Sequence, residues 1–189
     1  MDYKQINNNS LKIIEVLAEG KAYFSEIYEK AKIKSKNNLL KNLSLLTSSK
    51  ILIKEENKSN TFYTINYSNS VLIALLSLIN KTKFEKLPFN IKKSILECIF
   101  MIKPRISILF GSYAKGNFTK ESDIDLLFVS DKANREKIKE ISSRYGVKIN
   151  LIFIEIQDFQ SKDETIAHIL KTGYPLTGEE YFYNEAKEI

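Results

Sequence analysis

The sequence predicts an α+β chain in two parts, on three observations. Between residues 7 and 50, apolar residues recur at helical spacing in three short runs, and two strand-like runs follow around a polar tip. From residue 104 onward, apolar strand-like runs alternate with charged helical segments, the order of a mixed α/β domain built on one sheet. Two of those runs bracket Gly111-Ser112, ten further residues, and then Asp123-Ile124-Asp125. The expected division is residues 1–69, a helical connector at 70–103, and residues 104–189.

Taken in order, Ser10 is the expected N-cap of the first helix, with Leu11, Ile14, Val16 and Leu17 following until Gly20 ends the pattern. A second helix starts near Ser25 and runs through Ile27, Tyr28 and Ala31. A third begins after Ser35 and turns Leu39, Leu40, Leu43 and Leu46 inward, leaving Lys36, Asn37, Lys41 and Asn42 largely on the other side. Residues 51–54 and 61–65 read as strands around the tip at 55–60. Three helices followed by a hairpin resemble a winged helix-turn-helix across residues 7–67, by pattern and without a diagnostic motif. The resemblance implies that the third helix would enter a DNA major groove. Lys34, Lys36 and Lys41, with Lys30 and Lys32, would then contact phosphates, and Asn37 and Asn38 would face base edges. Glu55 and Glu56 in the tip oppose a wing pressed on phosphate. Winged helices also serve as docking or dimerisation modules.

Residues 71–79 are apolar nearly all round, which predicts a helix buried between domains or in a homodimer interface. A further helix is expected over 91–102, broken by Pro104. Beyond the central motif, residues 133–144 read as a charged helix with Ile138 and Ile141 inward, and Gly146 precedes a strand over 147–154. Residues 165–170 form another helix, ending near Gly173.

The motif carries the chemistry. Strand alternation puts Asp123 and Asp125 on one face and Ile124 on the other. Two adjacent carboxylates at the start of a buried strand are costly unless a cation joins them. A hard divalent ion such as Mg²⁺ (or Mn²⁺), carrying a nucleotide's phosphates, suits them. Gly111 allows close approach of backbone to a phosphate, and Ser112 adds a hydroxyl.

This pattern resembles the DNA polymerase beta-like nucleotidyltransferase superfamily, most closely its minimal bacterial and archaeal members, over roughly residues 104–180. The resemblance implies that Gly111 and Ser112 hold the phosphates of an NTP, ATP being the expected one, and that Asp123 and Asp125 hold metal ions. Lys115 stands where relatives usually carry Arg, so the charge stays while the planar fork is lost. Asn150 occupies the place of the family's third acid. It offers one neutral carbonyl oxygen, cannot act as a base and adds no charge. Glu155 has the wrong strand parity to replace it, and Asp158 lies beyond the expected strand end. The tail from Gly173 to Phe182 resembles the closing segment of these small domains, where it is structural.

Composition sets the outer bounds. One cysteine, Cys98, excludes an internal disulfide, and its apolar neighbours make it a buried helix residue. The polar N-terminus and the lack of any apolar run near the ~20 residues of a membrane span lead to the expectation of a soluble cytoplasmic protein. The net charge of +6 is uneven: residues 1–70 carry eleven Lys against seven acids, 71–105 seven bases against two acids, and 106–189 eleven bases against fourteen acids. The basic half thus stands apart from the carboxylate-bearing half, which favours a polyanion near the former. His168, the sole histidine, is given no role.

Two functions follow. One is an enzyme transferring a nucleoside monophosphate from Mg-NTP to a hydroxyl on a protein, an RNA end or a small molecule. In minimal nucleotidyltransferases the partner is often a small helical toxin, so an antitoxin-like modifier belongs to this reading. The other is a winged-helix DNA-binding regulator whose transferase domain senses a nucleotide without turnover.

Overall fold

The computed structural model describes residues 5–57, 60–131 and 134–187 of the 189. Lys58 and Ser59 of the polar tip, and Ala133 at the expected helix start, lie outside them. The chain divides into two compact units, Met1–Ile79 and Asn80–Ile189. The division falls within one helix, so the expected connector at 70–103 contributes to each unit.

The first unit runs α1 (Asn8–Ala18), β1 (Ala22–Tyr23), α2 (Phe24–Ala31), α3 (Lys36–Ser48), β2 (Leu52–Glu56) and β3 (Thr61–Ile65). The strands form an antiparallel sheet in the order β1-β3-β2. Three helices and a β2–β3 hairpin follow the order expected from the sequence, and β1, too short to read there, adds a third strand. Ile13, Ile14 and Leu17 of α1, Ile27 of α2, and Leu39, Leu43 and Leu46 of α3 are buried with Ile51, Leu52, Tyr63 and Ile65.

Three local expectations need correction. Asn7, not Ser10, caps α1: its side chain accepts the N–H groups of Asn9 and Ser10. Ser10 instead lies one turn in, buried, and donates to Asn42 Oδ1 at 2.7 Å. Asn42 is therefore an inward residue of α3, while Leu40, expected inside, is 51% exposed. A buried Asn is tolerated here because its amide also donates to the Asn38 carbonyl at 2.8 Å, satisfying both ends.

α4 (Ser70–Glu85) crosses the division. It is not buried all round: Leu72, Leu76 and Ile79 form a covered stripe, while Leu78 is 51% exposed. The second unit continues with α5 (Phe89–Ile102), β4 (Ile106–Phe110), α6 (Gly111–Lys115), β5 (Ile124–Val129), α7 (Arg135–Tyr145), β6 (Ile149–Ile154), α8 (Ile156–Ser161), α9 (Glu164–Thr172), β7 (Tyr174–Thr177) and α10 (Glu179–Ala186). Its sheet has the order β6-β5-β4-β7, with β5 and β6 parallel and the other pairs antiparallel.

One sheet face, carrying Leu109, Ile124, Leu126 and Phe128, packs with Ile91, Ile95, Cys98 and Ile102 of α5 and Ile138 and Ile141 of α7. Ile106, Ile108, Leu127 and Val129 alternate to the other face and are equally buried. Both faces are thus covered, as the unbroken apolar runs require. β7 is hidden in sequence by Pro175. It adds at the edge of the sheet, where a residue without an N–H is accommodated.

Candidate active site

The site is assembled by strand register. β4 ends at Phe110, directly opposite Asp125 of β5. The chain then turns into α6 at Gly111, whose φ is +68°. A Cβ on Gly111 would stand 2.1 Å from Asp125 Oδ2 and 2.9 Å from its Cγ. Glycine is required here twice over, by the left-handed backbone and by the carboxylate seated against it. Ser112 follows, half-buried. Its carbonyl accepts the N–H of Gly116 and, at 3.2 Å, that of Asn117, which closes the short helix. Lys115 is exposed in the last turn.

Asp123 sits one residue ahead of β5. A turn sets it in place: Ser122 N–H donates to the Thr119 carbonyl at 3.3 Å, and Thr119 N–H donates to Ser122 Oγ at 2.8 Å. Beneath the intervening loop Tyr113 is buried and stacks on Phe118, with ring centroids 4.5 Å apart. Burial, and then the charge of Asp123, push the Tyr113 phenol above its ordinary pKa.

The parallel pairing of β5 with β6 places Asn150 beside Asp125. Its Nδ2 donates to Asp125 Oδ1 at 3.0 Å. The same register, carried two residues back, brings Lys148 toward Asp123, with Nζ 3.9 Å from Oδ1. Sequence reasoning missed Lys148; its signal was the two-residue offset from Asn150 matching that of Asp123 from Asp125. Glu155 and Asp158 do not complete the set: Glu155 precedes α8 and Asp158 lies within it. Among the described residues no group of three or more His, Cys, Asp or Glu gathers as a metal site. Asp123 and Asp125 nevertheless supply hard carboxylate oxygens of the kind Mg²⁺ or Mn²⁺ takes, the Asp125 carboxylate lying where a side chain at 111 would stand. His168 is exposed, and Cys98 is fully buried.

In the first unit, Lys34, Lys36, Asn37, Asn38 and Lys41 are all exposed, four of them on the N-terminal half of α3. Ser35 caps that helix by accepting the Asn38 N–H at 3.2 Å. On β2, Glu55 pairs with Lys21 at 2.9 Å and Glu56 with Lys54, so both acids have cationic partners.

A model of the nucleotidyltransferase domain matches residues 91–172. A Methanocaldococcus jannaschii protein named "Putative protein adenylyltransferase MJ0604" is 36% identical over 83 residues, which cover 39% of this chain and 82% of that protein. The chain belongs to the nucleotidyltransferase family. A second protein of that organism, "Putative protein adenylyltransferase MJ1305", is 37% identical over 81 residues, 36% of this chain and 54% of its own length. Among solved structures, one titled "Crystal structure of the toxin-antitoxin with AMP-PNP" is similar with a TM-score of 0.39 and 19% identity, covering 51% of this chain and 83% of that one. The archaeal chromatin protein TrmBL2 is similar with a TM-score of 0.31 and 13% identity, covering 80% and 64%. At such scores neither structure carries an argument, and the fold reading stands on the strand order and register above. No described helix is long and apolar enough to cross a membrane.

Proposed function

We propose that this nucleotidyltransferase moves AMP from ATP to a hydroxyl on a protein, releasing pyrophosphate. The observation that supports it best is the seat of the Asp125 carboxylate against Gly111, with Asp123 two residues ahead. Gly111 makes room for the Asp125 carboxylate beside the backbone, Ser112 offers a hydroxyl donor, and Lys115 offers an exposed cation. Asp123 and Asp125 would hold Mg²⁺, which when bound supplies charge neutralisation on the phosphate oxygens. The acceptor oxygen forms a bond to the α-phosphorus as the bond to the pyrophosphate oxygen breaks, and the acceptor's proton is released. The chain's own contribution is positioning and electrostatics. Asn150 cannot take that proton. The choice of adenylate and of a protein acceptor leans on the names of the two relatives. A small helical toxin is one acceptor that fits this reading.

The test is incubation with each α-³²P-labelled NTP and Mg²⁺ or Mn²⁺, with and without cell protein and RNA. Label from ATP on a protein band, lost in Asp123→Ala with Asp125→Ala, is the expected result. Label that persists in that double variant overturns the site, and label on RNA alone overturns the protein acceptor.

A second reading is favoured by two observations: Asn150 stands where a base would be useful, and α3 presents an exposed Lys and Asn surface. Here the first unit binds DNA, as a monomer or a homodimer, and the second senses a nucleotide without turnover. DNA affinity that falls steeply with salt, together with ATP binding and no transfer, would support it.

A further inference from the structure

We propose that Asn150 is a positioning residue that limits this site to a single divalent cation, the one arriving with the nucleotide. The inference rests on the nucleotide-binding reading above. An ionised carboxylate only accepts hydrogen bonds, so the side of Asn150 facing Asp125 Oδ1 at 3.0 Å must be its amide nitrogen. That bond takes one lone-pair site of Asp125 Oδ1 and braces the carboxylate, whose Oδ2 lies against Gly111. What remains of Asn150 toward the site is one neutral carbonyl oxygen. Turning the amide to aim that oxygen at a metal beside Asp125 would set oxygen against carboxylate oxygen and lose the brace.

Charge leads to the same result. Two carboxylates, Asp123 and Asp125, balance one dication. Lys148 already places a positive charge 3.9 Å from Asp123, on an exposed side chain. No third His, Cys, Asp or Glu joins them among the described residues. On the protein side a second dication would meet a neutral amide and a nearby lysine, with no carboxylate left unshared among the described residues to hold it. Hard cations of this kind need anionic oxygens to offset their reluctance to lose water.

The experiment is equilibrium dialysis of the full chain with Mn²⁺ and a non-hydrolysable ATP analogue. Bound metal is counted by mass spectrometry, and spin coupling between neighbouring Mn²⁺ ions is read by electron paramagnetic resonance. The expected count is one Mn²⁺ per bound nucleotide, with no coupled pair. Asn150→Asp should raise it to two, with a coupled signal. Asn150→Ser, which restores no charge, should stay at one and bind Mn²⁺ more weakly, since Asp125 loses its brace. Two ions in the unmodified chain would overturn the inference and leave the nucleotide reading intact. One ion in both the unmodified chain and Asn150→Asp would overturn the role given to Asn150. No nucleotide-dependent metal at all would overturn the nucleotide reading itself, and this inference with it.

Discussion

Gly111 is the residue on which the candidate site turns. Gly111→Ala forces a non-glycine residue to a φ near +68° and drives a methyl into the Asp125 carboxylate. The expected outcome is a loss of about 1–3 kcal/mol in stability, read from urea midpoints. Nucleotide binding should weaken at least tenfold, read by calorimetric titration. Cys98 offers a separate test, of burial. Burial pushes its thiol up from 9.0 to about 12. Between those values the unfolded chain releases a proton that the folded chain keeps, so stability falls as pH rises from about 9 toward 12. The native protein should also leave Ellman's reagent unreacted at pH 8 until denaturant is added.

At the scale of elements, register does the assembling. A shift of β6 by one residue would turn Asn150 and Ile152 to the opposite face and bring Leu151 beside Asp125, so the site and the core are specified together. α1 and α3 are joined by the buried Ser10–Asn42 hydrogen bond. Asn42→Ala leaves the Ser10 hydroxyl without this partner and should cost about 1–3 kcal/mol, measured by chemical denaturation. On the reading in which α3 meets DNA, Lys36→Gln with Lys41→Gln should reduce the slope of log affinity against log salt by about 2. An unchanged slope in a mobility-shift series would remove those two lysines from the interface.

At the scale of the molecule, two units with separate cores predict two unfolding transitions in calorimetry. ATP analogue with Mn²⁺ should raise only the transition of residues 80–189, by about 2.7 kcal/mol at a hundredfold excess over Kd. A rise in both, or in neither, would contradict the assignment of the nucleotide to that unit. By the structural division residues 1–79 carry +4 and residues 80–189 carry +2, so the acidic stretch at 106–189 is offset by the basic residues of 80–105 within the same unit.

The sequence by itself determined the local features: most of the helices and strands, and that Gly111-Ser112 stands at a strand end. Those follow from period-two and period-3.6 patterning and from residues whose backbone preferences are strong. Short or interrupted elements escaped it. β1 has two residues, and β7 begins with Tyr-Pro, so neither carries a readable period. Leu40 and Asn42 were assigned to the wrong sides of α3, because an apolar residue can face solvent and a polar one can be buried when it finds a partner 32 residues away. Tertiary structure alone decided that Asn150 grips Asp125, that Lys148 stands by Asp123, and that no further acid joins them among the described residues. The physical reason is that such pairings depend on strand register between segments about 25 residues apart. A single strand's alternation tells which face a side chain takes, but not which neighbour it meets.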